Sequence, residues 1–83
     1  MTQNFDFLNA DPMFVEVARS VVAAGRASVR ALQYDFNFGF NRASNLLAQL
    51  EAAGIVSGPM GCRPRAVLCT AEELEQRVAE WQK

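Results

Sequence analysis

The segment NRASNLLAQLEAAG, residues 41–54, repeats its aliphatic positions with the period of a helix. Ala43, Leu46, Leu47 and Leu50 recur at i, i+3, i+4 and i+7 and make one apolar stripe. Arg42, Asn45 and Gln49 recur at i, i+3 and i+7 and line a different face. Gly54 follows the last periodic residue, as at a helix C-terminus. One short helix thus offers a side to bury and a side whose groups match base edges, Arg to guanine and Asn or Gln to adenine. The pattern predicts a recognition helix.

Upstream, Asn37-Phe38-Gly39 breaks the period, and Asn and Gly both tolerate the left-handed backbone of a tight turn. Before it, VRALQYDF reads as a helix capped by Ser28, with Val29, Leu32 and Phe36 on its buried side. Two helices joined by a short Gly-containing turn make a helix-turn-helix. A third helix, MFVEVARSVVAA, puts Phe14, Val17, Ala18, Val21 and Val22 on one face. Asp11 is expected as its N-cap and Pro12 as its first residue, with Gly25 closing it. The two-residue stretch Arg26-Ala27 is too short to judge alone.

Downstream, residues 55–57 and 65–69 are β-prone runs around a Gly- and Pro-rich loop, which predicts a hairpin. A hairpin directly behind a helix-turn-helix is a wing, and its tip carries Arg63 and Arg65, suited to a phosphate backbone. Thr70 to Glu73 matches a capping box, and Ala71, Leu74, Val78 and Trp81 form a last apolar stripe. The expected fold is therefore mainly α with a small β-hairpin, a winged helix-turn-helix plus an extra C-terminal helix. Its parts are an N-terminal tail (1–10), a winged-helix domain (11–69) and a C-terminal helix (70–83).

Composition narrows the function. The 83 residues contain no histidine, which removes the commonest general base and a common metal ligand together. Cys62 and Cys69 lie seven apart in one expected strand, roughly 20 Å or more when extended, beyond disulfide reach. They are read as free thiols, and two thiols alone make a poor zinc site. Asp35 and Glu51 have no partner carboxylate at useful spacing, and no phosphate-cradling Gly loop is present. No catalytic residue, metal or cofactor is assigned, and an enzyme is not expected. The longest apolar run, residues 21–24, is far too short to span a membrane. No signal peptide is visible, so a cytoplasmic location is expected.

The net charge of −1 is unevenly spread. Residues 1–16 carry three acids and no base, whereas residues 17–70 carry six arginines against Asp35 and Glu51, a net of +4. Residues 71–83 return to −2. A basic middle between acidic ends is a mild nucleic-acid signal. Phe5, Phe7 and Trp81 at the ends exceed what a three-helix core requires. They suggest a homodimer through these residues and the C-terminal helix.

The residues also carry a family resemblance. Arg26-Ala27-Ser28, Leu32-Gln33, Phe36, Gly39-Phe40-Asn41-Arg42-Ala43, Leu50-Glu51, Ala53-Gly54-Ile55-Val56 and residues 64–68 (PRAVL) resemble the γ domain of FtsK/SpoIIIE-type DNA translocases. The likeness runs from about Asp11 to Leu68. It implies a winged helix that reads short G-rich chromosomal sequences and contacts a tyrosine recombinase. By position it places Asn41, Arg42 and Asn45 on a DNA-reading helix and Arg63 and Arg65 on the wing. The family usually has a basic residue where this chain has Tyr34, Asp35, Asn37 and Asn45, and a small polar one at Arg30. Fewer positive charges lower phosphate attraction and alter base preference.

The DNA-contact candidates are Arg26, Ser28, Arg30, Asn41, Arg42, Asn45, Gln49, Arg63 and Arg65. Two function classes follow. The first is a sequence-specific binder of double-stranded DNA, a small regulator of transcription or an accessory factor. The alternative is a protein-binding winged-helix module, modulating a recombinase or other DNA-processing protein with little DNA affinity.

Overall fold

In the computed structural model, which describes residues 7–61 and 63–82, a short 3-10 turn at Phe7–Asn9 leads into the first helix. The elements that follow are α1 (Phe14–Ala24), β1 (Arg26–Ala27), α2 (Val29–Phe36), α3 (Phe40–Ala52), β2 (Arg65–Ala66) and α4 (Ala71–Trp81). The chain is mostly helical with a small antiparallel β element, a winged-helix arrangement.

Each helix turns the stripe its period marks toward the core, and the middle of each stripe is buried. Phe14, Val17, Ala18 and Val21 of α1, Leu32 of α2, and Ala43, Leu46, Leu47 and Leu50 of α3 join one core with Ile55 and Val56. Val22, Val29 and Phe36 are only partly buried and pack on its edge. Each fully buried Leu or Phe contributes about 1.5–3 kcal/mol, more than a single hydrogen bond, at about 1 kcal/mol net. The stripes therefore orient the helices, and caps and turns only trim them.

The helix ends match the expected chemistry with two adjustments. Ser28 caps α2, its Oγ accepting the Ala31 N–H at 3.1 Å. Gly25 and Gly54 both take the left-handed conformation, each at φ 79°. Between α2 and α3 it is Asn37 that turns left-handed (φ 58°), whereas Gly39 is extended at φ −72° and stands at the N-cap of α3. Asp11 is not the formal N-cap, since regular helix begins at Phe14 with Met13 before it. Its carboxylate still accepts the Met13 N–H at 2.8 Å, and its carbonyl accepts the Phe14 N–H at 2.8 Å, so a tight turn precedes the first full one.

The β element differs in its pairing. The ordered ladder is long-range: Arg26 lies opposite Ala66 and Ala27 opposite Arg65. The expected hairpin is present only as the bridges Val56–Val67 and Met60–Arg63, with the Ser57 N–H donating to Ala66 O at 2.9 Å. Ser57 explains the irregularity. The Ala66 N–H donates to the Ser57 hydroxyl at 3.0 Å, so a side chain takes one of the ladder's places.

α4 begins at the capping box formed by Thr70 and Glu73 and packs on α1. Leu74 and Val78 are buried, and Ala71 is exposed. Trp81 meets the edge of Phe14 at 5.7 Å between centroids and stacks on Phe7 at 5.6 Å. Arg19 of α1 bonds both carboxylate oxygens of Glu75 at 2.8 Å, and Arg77 donates to Ala53 O at 2.9 Å. Phe7 and Trp81, expected at a homodimer contact, thus pack against their own chain. Phe5, like Cys62, lies outside the described residues. No described helix is long and apolar enough to cross a membrane.

Candidate nucleic-acid interface

At about 100° per residue, the core stripe of α3 leaves Asn41, Asn45 and Ala48 on the opposite side of the helix. All three are exposed. Arg42 and Gln49 lie a quarter-turn away, on the flank facing the segment before α1. There Arg42 donates two 2.8 Å hydrogen bonds to the Asp11 carboxylate. Its guanidinium carbon also lies 4.5 Å from the centre of the Phe38 ring. Gln49 accepts the Asp11 backbone N–H at 3.1 Å.

The electrostatics of the pair are those of a clamp. The Arg42 guanidinium holds the Asp11 carboxyl below the usual aspartate range, against an opposing effect of partial burial. The carboxylate in turn raises the Arg42 pKa. The Asp11 side chain is 15% exposed and that of Arg42 45%.

The wing and the start of α2 form a second region. Ser28, Arg30, Leu47, Met60, Arg63 and Arg65 line a cleft of about 430 Å³. Among the described residues, Arg26, Arg30 and Arg63 form no ion pair, whereas Arg65 reaches Glu51 at 3.0 Å. The Ser28 hydroxyl is already committed to its helix cap. Arg26 and Arg30 border a neighbouring cleft of about 560 Å³ beside Tyr34 and Asp35.

Of the nine candidates, the structure thus brings Ser28, Arg30, Arg63 and Arg65 to one cleft and Arg26 to the next. Asn41 and Asn45 stand on the outer face of α3, with Arg42 and Gln49 turned aside. Sequence reasoning missed Ala48, although its i+7 spacing from Asn41 marks the same face. It also missed Asp11 as the partner of Arg42, because no local pattern links residues 31 positions apart. Cys69 is buried and unbridged, and burial raises its thiol pKa. No cluster able to hold a metal ion occurs among the described residues.

Three core helices, a helix-turn-helix and a following wing define a winged-helix protein. Residues 9–70 match the family described as Ftsk gamma domain, and the chain belongs to it. DNA translocase SftA of Bacillus subtilis (strain 168) is 42% identical over 64 residues, covering 77% of this chain and 7% of that protein. DNA translocase FtsK of Chlorobaculum tepidum is 48% identical over 63 residues, 76% of this chain and 8% of its own length. DNA translocase FtsK of Vibrio vulnificus is 45% identical over 65 residues, 78% and 7% respectively. The chain therefore spans less than a tenth of these curated relatives.

Proposed function

We propose that this chain binds double-stranded DNA, with α3 in the major groove and the wing on the phosphate backbone. The observation that carries the reading is a polar, exposed outer face on α3, where Asn41 and Asn45 stand opposite the core. A separate cleft gathers Arg30, Arg63 and Arg65 from the start of α2 and the wing. Asparagine reads base edges, and arginine on a wing meets phosphates. The relatives named as DNA translocases support a DNA partner. In this reading the chain serves as a small sequence-directed regulator or accessory factor.

A protein-binding module is the second reading. The net charge of −1 and the exposure of Tyr34 (87%) and Phe40 (62%) favour it. Titration of the protein with duplexes at two salt concentrations separates the two. DNA binding predicts that Arg63→Ala weakens all duplexes alike and lowers the salt slope by about one unit. If the native protein binds no duplex better than roughly 100 μM at low salt, at the weak end of non-specific binding, the protein module takes its place.

A further inference from the structure

The exposed residues on the outward face of α3 carry two carboxamides, one methyl and no charge. We propose that α3 reads A·T base pairs, Asn41 and Asn45 bonding adenine edges and Ala48 packing on a thymine methyl, and that Arg42 reads no guanine. The inference rests on the DNA-binding reading above and names what that site selects.

Three observations carry it. Asn41 and Asn45 are exposed on the side opposite the core, and Asn41 is the second residue of α3. The N-terminal residues of a recognition helix are those that reach base edges. Asparagine matches the N6 and N7 of adenine, and alanine matches the methyl of thymine.

Secondly, the one arginine of α3 is engaged elsewhere. Both of its bonds to Asp11 are 2.8 Å long, and Phe38 holds it from the side. Turning Arg42 outward would leave a carboxylate that is only 15% exposed with the Met13 N–H as its one remaining hydrogen bond. Gln49 is turned aside by the same segment through the Asp11 N–H.

Thirdly, the spacing suits consecutive base pairs. Four residues of helix advance about 6 Å and seven about 10.5 Å, close to two and three steps of the duplex at roughly 3.4 Å each. Asn41, Asn45 and Ala48 therefore fit within one run of about four base pairs.

The test selects bound fragments from random duplexes with the native protein, then titrates the selected site. Adenines are expected at two positions, with thymine where Ala48 lies. Asn41→Ala and Asn45→Ala should each lower affinity for that site about tenfold and leave scrambled duplexes unaffected. Replacing the matching adenine with 7-deazaadenine, which lacks the N7 acceptor, should reproduce the loss with native protein. The same replacement should add nothing to the Asn45→Ala variant. Arg42→Lys, which keeps a cation beside Asp11, should preserve the base preference. A guanine-centred site overturns the inference, whether or not its preference survives in Arg42→Lys, since lysine also bonds guanine. So does measurable affinity with no base preference, which leaves duplex binding standing. Absence of binding to every duplex removes the DNA-binding reading itself, and this inference with it.

Discussion

Asp11 does three jobs with one residue. Its carboxylate accepts the Met13 N–H and two bonds from Arg42, and its own N–H reaches Gln49. Because Arg42 lowers its pKa, the folded protein takes up a proton there less readily than the unfolded chain. The pair's stabilisation is complete above the unfolded aspartate value of about 3.9. It is lost as pH falls through the lower folded value. Glu75, held down by Arg19, adds to the same acid slope. Melting temperatures measured from about pH 5 to pH 2 should thus fall more steeply for native protein than for Asp11→Asn, the two converging at the acid end. Parallel curves would show that Asp11 is unpaired in solution.

At the scale of elements, the termini of α1 and α4 make separate predictions. Gly25 closes α1 at φ 79°, with open space where a Cβ would stand. Alanine there meets no steric neighbour and costs only the left-handed backbone, about 1–2 kcal/mol. Asparagine, which tolerates that conformation, should recover part of the loss. Thr70 and Glu73 satisfy each other's backbone donors at the start of α4. Thr70→Ala should cost about 1 kcal/mol. Urea unfolding followed by circular dichroism checks both, and a Gly25→Asn variant no better than Gly25→Ala would refute the backbone account.

For the whole molecule, the aromatic trio Phe7, Phe14 and Trp81 joins the two ends of the chain across α1. Trp81 is half-buried, so Trp81→Ala should destabilise by roughly 1–3 kcal/mol, less than a fully buried Trp. It should also loosen the Phe7 segment, visible as faster amide exchange over residues 7–10. Since these rings are used inside one subunit, sedimentation at micromolar concentration should give a single species of 9.2 kDa. A dimer that survives Trp81→Ala would place any association on another face.

Local pattern alone determined the helices, because a buried stripe at helical period is written in consecutive residues: 43, 46, 47 and 50 for α3, and 74 and 78 for α4. Ser28, Gly25, Gly54 and Thr70 were legible for the same reason, since a cap acts within four residues of itself. Helix α3 was legible as an element. Which of its polar residues face outward was not, because the Arg42, Asn45 and Gln49 spacing is equally periodic whether solvent or Asp11 lies opposite. The β1–β2 pairing was hidden likewise. Two residues carry no alternation, and their partners lie some forty positions away. Only the packed structure could decide these points, because an ion pair or strand pair across the chain depends on where the buried stripes bring distant segments.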